Sequence, residues 1–198
     1  MGHDHTHLIQ DKNRILIALF LNLLIVPLEI YGGIYSGSFS LLSDGIHMIS
    51  HFGILAFAYF AEINSRYQKY SVFINGFFLT CLSFFILFWA IWKIIHPSEI
   101  LCGVMFKIAL VGLIADISQI VLLYPAKSHH GVNMKSVFLH TFSDAGLSFA
   151  IVVGSICVHL WKFYQIDSII LFLFFPFVLF SGIKLIKISI KNPFLFKK

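Results

Sequence analysis

Charged residues are scarce in this sequence. Asp, Glu, Lys and Arg make up 12% of 198 residues, about half of the roughly 25% found in soluble domains. This scarcity excludes a water-soluble globular protein, and it also excludes a disordered chain, which needs many charges and few apolar residues. Three cysteines are too few for a disulfide scaffold. With 13 glycines and 5 prolines, the composition is not collagen-like.

Apolar residues dominate instead, at 59% of the chain, with a mean hydropathy of +0.89. A transmembrane helix needs about 20 mostly apolar residues. Six stretches, numbered here as spans 1 to 6, meet this need: Ile15–Tyr35, Leu41–Ile63, Val72–Ile95, Ile100–Tyr124, Val137–Trp161 and Ile166–Ile186. Because the runs are continuous and do not alternate, they favour helices over the strands of a β-barrel. We therefore predict an all-α membrane protein with six transmembrane helices.

The polar segments complete the predicted organisation. Residues 1–14 form a His-containing tail, residues 15–190 the six-helix domain, and residues 191–198 a short basic tail. Eleven of the 14 Lys and Arg residues fall on the side of the two termini. The positive-inside rule therefore predicts that both termini are cytoplasmic. Because topology accounts for the net charge of +5, that charge does not indicate a nucleic-acid partner; the basic residues near the C-terminus can contact membrane lipid.

Ionisable residues inside membrane spans are costly and indicate functional sites by default. Here the polar and ionisable residues concentrate in spans 1, 2, 4 and 5, whereas the centres of spans 3 and 6 have almost none. The candidates are Asn22, Glu29, Asp44, His47, His51, Asp116, His140 and Asp144. We expect spans 1, 2, 4 and 5 to enclose a polar interior, with spans 3 and 6 packed outside or beside them.

Two pairs of these residues have the same spacing. His47 and His51 are four residues apart in span 2, and His140 and Asp144 are four apart in span 5, so each pair lies on one face of its helix. Facing each other, the pairs predict a tetrahedral site of three imidazoles and one carboxylate, which suits Zn²⁺. Any single histidine could instead hydrogen-bond to a neighbouring helix, but the repeated pair favours a metal site.

The other polar residues leave two interpretations open. Asn22 and Glu29 share a face of span 1 and, with Asp116, could line an ion path or support the metal ligands. They could equally form interhelical hydrogen bonds. Asp44 lies one turn before His47, where it could bind an ion on its way to the site or tie down the turn at residues 36–40. The sequence favours the turn.

Several histidines and cysteines lie outside this group. Two sets of histidines are predicted to be cytoplasmic: His3, His5 and His7 form one, and His129 and His130 the other. They could collect metal weakly before transport, or they could simply be solvated. His96 and His159 lie near the opposite side, where we expect no function. Cys81, Cys102 and Cys157 have neither zinc-site nor disulfide spacing, and we expect them to act as small apolar residues.

Two segments resemble signatures of the cation diffusion facilitator family. Residues 36–47 (Ser-Gly-Ser-Phe-Ser-Leu-Leu-Ser-Asp-Gly-Ile-His) resemble its second-span signature. Residues 133–144 (Asn-Met-Lys-Ser-Val-Phe-Leu-His-Thr-Phe-Ser-Asp) resemble its His-x-x-x-Asp signature. The resemblance runs from about residue 15 to 190. Six further residues match family positions: Asn22, Glu29, Trp92, Pro97, Trp161 and Asp167.

The resemblance implies a secondary transporter, not an enzyme, in the cell (inner) membrane of a bacterium. Such proteins export Zn²⁺, or Cd²⁺ and Co²⁺, from the cytoplasm in exchange for protons, commonly as homodimers with alternating access. The metal is then the cargo, and no prosthetic group is expected. Carried over by position, His47, His140 and Asp144 match transport-site ligands.

The chain departs from the family pattern in two places. His51 stands where an aspartate is usual, so one carboxylate would leave an occupied site with a net charge of about +1, and protons would compete with metal for three imidazoles. The cytoplasmic domain that usually follows span 6 is missing from this sequence. The resemblance therefore indicates a short form in which any homodimer would form through the transmembrane helices.

Two other functions are compatible with parts of the pattern. The first is a membrane protein that binds metal without transporting it. The second is a membrane di-iron hydroxylase or desaturase, since His47-x-x-x-His51 superficially fits a histidine box. Such enzymes need more histidines, gathered at the cytoplasmic surface, than this chain provides.

Overall fold

The computed structural model describes residues 3–50, 65–124 and 131–191, and its description of side chains begins at residues 17, 70 and 141 in these ranges. Every regular element within them is a helix. The helices are α1 (His3–Ser36), α2 (residues 39–50, described only that far), α3 (Ser65–Ile95), α4 (Cys102–Leu123), α5 (Gly131–Trp161) and α6 (Gln165–Lys191). The predicted all-α fold is confirmed.

Four of these helices are long and apolar enough to cross a membrane. The segments are Val72–Ile95 in α3, Cys102–Leu122 in α4, Thr141–Trp161 in α5 and Gln165–Ile190 in α6. The apolar part of α1, Phe20–Ser36, is shorter. Most of predicted span 2 lies outside the described residues. The chain is an all-α membrane protein.

Three helices begin well before the spans that hydropathy predicts. α1 begins at His3, inside the predicted polar tail, α3 at Ser65 and α5 at Gly131. The difference has a physical reason, because an apolar run measures the thickness of the hydrocarbon layer and not the length of a helix. Once a helix is nucleated, each further polar residue adds a backbone hydrogen bond at little cost.

The helices pack in the arrangement that the distribution of polar residues predicts. α3 packs most extensively against α6, α4 against α5, and α1 against α4. α3 and α6 approach closely at two glycines, since a Cβ on either Gly76 or Gly182 would lie 2.9 Å from the carbonyl oxygen of the other. Small residues allow such close contact between membrane helices. The α3–α6 pair therefore lies beside the helices that carry most of the polar residues.

The buried and exposed surfaces reverse the pattern of a soluble protein. Large apolar side chains such as Phe77, Phe84 and Phe180 are exposed, as expected of a surface that contacts lipid. Several polar side chains of α1, α2, α4 and α5 are buried: Asn22, Glu29, Asp44, His47, Asp116, Gln119 and Asp144. The polar interior expected from the sequence is therefore present among the described residues.

Three connections meet at one end of the bundle, called here the turn end (residues 36–38, 96–101 and 162–164). Gly37 has a φ of +75°, a left-handed conformation that favours glycine. The Lys93 ammonium donates to the Gly37 carbonyl oxygen at 2.9 Å, and the Leu101 N–H donates to the Ser36 carbonyl oxygen at 2.9 Å. These contacts hold the α1–α2 turn against the end of α3 and the start of α4.

Candidate metal site

His47 of α2 and Asp144 of α5 meet in the interior. His47 has no exposed surface and Asp144 is 5% exposed. The distance from His47 Nε2 to Asp144 Oδ1 is 3.8 Å. Phe174 of α6 packs edge-on against the imidazole ring, with the ring centroids 5.3 Å apart. Two helices therefore bring an imidazole and a carboxylate together in a buried position, beside an aromatic wall from a third helix.

The spacing of these two side chains is close to that of two ligands on one zinc ion. With Zn–N and Zn–O distances of about 2.1 Å and tetrahedral angles, the nitrogen and oxygen would be about 3.4 Å apart. The observed distance is 3.8 Å, so a small approach of α2 and α5 would allow one ion to bind both. Within the described part of the chain, no three His, Cys, Asp or Glu side chains already form a metal-holding group.

The other two predicted ligands are His140 and His51. His140 lies in α5, one helical turn before Asp144, but its side chain is not among those described. His51 lies outside the described residues. The structure thus brings together one member of each predicted pair, and the four-ligand site stays a prediction.

Three further carboxylates are buried near this position. Glu29 of α1, Asp44 of α2 and Asp116 of α4 are each no more than 3% exposed. The Ser148 hydroxyl of α5 donates to Asp116 Oδ2 at 2.7 Å and lies 3.4 Å from Asp44 Oδ2. A hydroxyl has one hydrogen, so the shorter contact is the stronger bond. Ser148 therefore links carboxylates from two other helices.

Glu29 completes this carboxylate cluster. Its Oε1 lies against Gly112 of α4, where an added Cβ would overlap it. No hydrogen-bond partner of its Oε2 occurs among the described residues, and Asp44 and Asp116 are close enough to repel its charge. Three carboxyl groups in one buried interior repel one another when ionised, so they favour binding of a cation or of protons.

Asn22 forms an interhelical hydrogen bond. The Gln119 side-chain amide of α4 donates to Asn22 Oδ1 of α1 at 2.6 Å. An interhelical hydrogen bond is one of the two roles expected for Asn22, and this bond ties α1 to α4. A role for Asn22 beside an ion path stays a prediction.

The turn before α2 is held by Asp167, which is not among the candidate site residues. Asp167, at the start of α6, accepts hydrogen bonds from the Ser38 hydroxyl at 2.7 Å and from the Phe39 N–H at 2.9 Å. It also accepts from the N–H and hydroxyl of Ser40. The turn role that the sequence favours for Asp44 is thus filled by Asp167, and Asp44 lies near Ser148 instead.

The side chains of the predicted metal-collecting histidines are outside those that the structure describes. His3, His5 and His7 fall in the first turns of α1, without described side chains. His129 and His130 lie outside the described residues. A metal-collecting role for either set stays a prediction.

A helical membrane protein with a histidine and several carboxylates buried among four helices has the features of proteins that handle ions within the membrane. The sequence profile of the cation efflux transmembrane domain matches residues 15–192. The chain therefore belongs to the cation efflux family.

Curated relatives support this assignment. The zinc transporter ZitB of Escherichia coli is 28% identical over 96% of this chain and 66% of its own length. The cadmium, cobalt and zinc/H(+)-K(+) antiporter of Bacillus velezensis is 27% identical over 80% of this chain and 55% of its own length. The cation efflux protein CzcD of Cupriavidus metallidurans is 27% identical over 85% and 57%. The chain thus spans less than two-thirds of the length of these relatives.

Proposed function

We propose that this protein exports divalent metal cations from the cytoplasm by exchanging them for protons. Zn²⁺ is the proposed cargo, with Cd²⁺ and Co²⁺ as further substrates. The metal binds between α2 and α5 at His47, His51, His140 and Asp144, and the site opens alternately to the two sides of the membrane. On this proposal the protein is a secondary transporter and not an enzyme, and it lies in a bacterial inner membrane with both termini in the cytoplasm.

The observation that carries this proposal is the buried approach of His47 to Asp144. Neither side chain suits a position in lipid unless it has a partner or a function. Imidazole nitrogen and carboxylate oxygen are both common zinc ligands. Each residue also belongs to one of the two predicted i,i+4 pairs, so closing the 3.8 Å gap would direct both pairs toward one ion.

The carboxylate cluster supports the transport step. Asp44 is three residues before His47 on α2, and Ser148 is four residues after Asp144 on α5. The cluster therefore lies about one helical turn from the metal site, toward the turn end. In this position, on the exit side of the metal site, Glu29, Asp44 and Asp116 would attract the departing cation and hold protons when it has left.

The names of the relatives agree with this chemistry. Zinc is named for ZitB, and zinc, cadmium and cobalt are named for the Bacillus antiporter, whose name also includes proton and potassium exchange. We extend the metal and the proton exchange to this chain as part of the proposal. We also propose a homodimer that forms through the transmembrane helices.

Metal uptake into proteoliposomes tests the proposal. Purified protein in vesicles with an imposed pH gradient should accumulate Zn²⁺ and Cd²⁺, and dissipating the gradient should reduce uptake. The variants His140→Ala and Asp144→Asn should each abolish uptake. His96→Ala is the matched control, because His96 is exposed in the α3–α4 loop and stacks on Trp92.

The outcomes separate the three candidate functions. Zn²⁺ bound tightly without any flux would favour the non-transporting metal-binding protein. Two irons bound per chain would favour the hydroxylase or desaturase. Equal uptake by the native protein and His140→Ala would contradict the proposed site.

A further inference from the structure

Cys102 and His159 contact each other at the turn end of the bundle. Cys102 is the first residue of α4, and His159 lies in the last turn of α5. The distance from Cys102 Sγ to His159 Nδ1 is 3.6 Å. His159 is exposed and Cys102 is half-buried, and both residues line the same cleft.

This distance fits two ligands on one tetrahedral metal ion. Zn²⁺ binds thiolate sulfur at about 2.3 Å and imidazole nitrogen at about 2.0–2.1 Å, which places the sulfur and nitrogen about 3.6 Å apart at a tetrahedral angle. The observed distance therefore already matches the separation of two ligands on one ion. A thiol–imidazole hydrogen bond would also give this distance, and only metal binding distinguishes the two.

Space for an ion lies beside the pair. A cleft of about 290 Å³ is lined by Cys102, Gly103, Phe106, Ser155, Ile156 and His159. Gly103 adds to this space, because a Cβ there would meet nothing within 4 Å. The cleft leaves room for water to fill the two coordination positions that the protein does not supply.

We propose that Cys102 and His159 form a second metal site, which binds Zn²⁺, Cd²⁺ or a similar thiophilic divalent cation. A thiolate and an imidazole select such ions over Mg²⁺ and Ca²⁺, which prefer oxygen ligands. His159 is 15 residues beyond Asp144 on α5, about 22 Å along the helix. The two sites therefore cannot share an ion, and this one stands whether or not the buried site transports metal.

The position of the second site suggests what it does, on the basis of the proposed function. The turn end lies opposite to the termini, so it is the end at which an exported ion leaves. A weak site with two protein ligands and open coordination positions would hold the released ion briefly and pass it on. No sequence motif pairs these two residues, which are 57 positions apart.

Cobalt spectroscopy tests the site directly. Co²⁺ bound to thiolate has an intense charge-transfer absorption in the near ultraviolet, and the buried site contains no thiolate. In the full chain with Cys81→Ser and Cys157→Ser, Co²⁺ should produce this absorption from Cys102 alone. Adding Cys102→Ser should remove the band, His159→Ala should weaken Co²⁺ binding, and Zn²⁺ or Cd²⁺, but not Mg²⁺, should displace the Co²⁺.

Two controls keep this test separate from that of transport. His47→Ala should leave the band unchanged while it abolishes flux, and His96→Ala, at the same end, should change neither. A further measurement leaves both Cys102 and His159 in place. If the site exists, bound Zn²⁺ should slow the alkylation of Cys102. The second site would be overturned if the thiolate band were absent, or if His159→Ala bound Co²⁺ with the same affinity as the protein that retains His159. Either result would leave the transport proposal intact.

Discussion

The carboxylate of Asp167 accepts a hydrogen bond from the Ser38 hydroxyl at 2.7 Å, across 129 positions of sequence. Asp167 has no exposed surface, and it also accepts the N–H groups of Phe39 and Ser40. The first N–H groups of a helix lack partners within that helix, so α6 supplies the acceptor that α2 needs. The position of α2, and therefore of His47, depends on a helix that carries no candidate metal ligand.

Loss of this carboxylate should destabilise the fold. In Asp167→Ala, the buried Ser38 hydroxyl and the first N–H groups of α2 lose their acceptor, which should cost about 3 kcal/mol. Asp167→Asn keeps one acceptor oxygen and should cost less. Thermal unfolding of the purified protein in detergent measures both effects.

A double-mutant cycle separates this contact from general damage. Ser38→Ala and Asp167→Ala should be non-additive, because each removes the same hydrogen bond. Ser118→Ala is the control, since its exposed hydroxyl donates to Ile114 O within α4. A strictly additive cycle would show that the contact between Asp167 and Ser38 contributes no stability.

Sequence alone could predict the parts of this protein that depend on local spacing. Apolar runs predict most of the helices, and the four-residue interval places His140 and Asp144 on one face of α5. Contacts between distant segments have no such signal. Neither hydropathy nor spacing indicates that Asp167 holds the turn before α2, or that Cys102 meets His159, because both depend on how the helices assemble.

The glycine crossing of α3 and α6 leads to a second prediction. A Cβ at Gly182 would lie 2.8 Å from the Thr80 nitrogen and 2.9 Å from the Gly76 oxygen. These are backbone atoms that cannot move aside, so Gly182→Ala should force the helices apart and cost about 1–3 kcal/mol. Gly146→Ala is the matched control, because its Cβ would meet nothing within 4 Å. Equal melting temperatures for the two variants would contradict the close crossing.

The third prediction concerns Glu29, which is 1% exposed. Glu29→Gln removes a buried carboxyl group that can carry negative charge beside Asp44 and Asp116, and it adds an amide that can donate to them. We expect the variant to be more stable, by about 1 kcal/mol, and to lose most of its Zn²⁺ flux. Stability gained with function lost is typical of a residue retained for activity. Glu99→Gln makes the same change at an exposed position and should alter neither the stability nor the Zn²⁺ flux. Full flux in Glu29→Gln would exclude Glu29 from the ion path.

The last prediction follows from the histidine at position 51. The reference pKa is about 6.5 for imidazole and about 3.9 for the aspartate carboxyl group. Only the deprotonated form of either group binds metal. As pH falls from about 7.5 to 5.5, protons should therefore displace Zn²⁺ from three imidazoles in the native site. In His51→Asp only two imidazoles compete in this range, so Zn²⁺ affinity should fall less steeply with pH. The affinity should also be higher throughout, because the second carboxylate neutralises the ion. Calorimetric titration with Zn²⁺ and Cd²⁺ across this range measures both effects, with His96→Asp as the matched control. Unchanged metal preference and pH dependence in His51→Asp would show that residue 51 does not bind the metal.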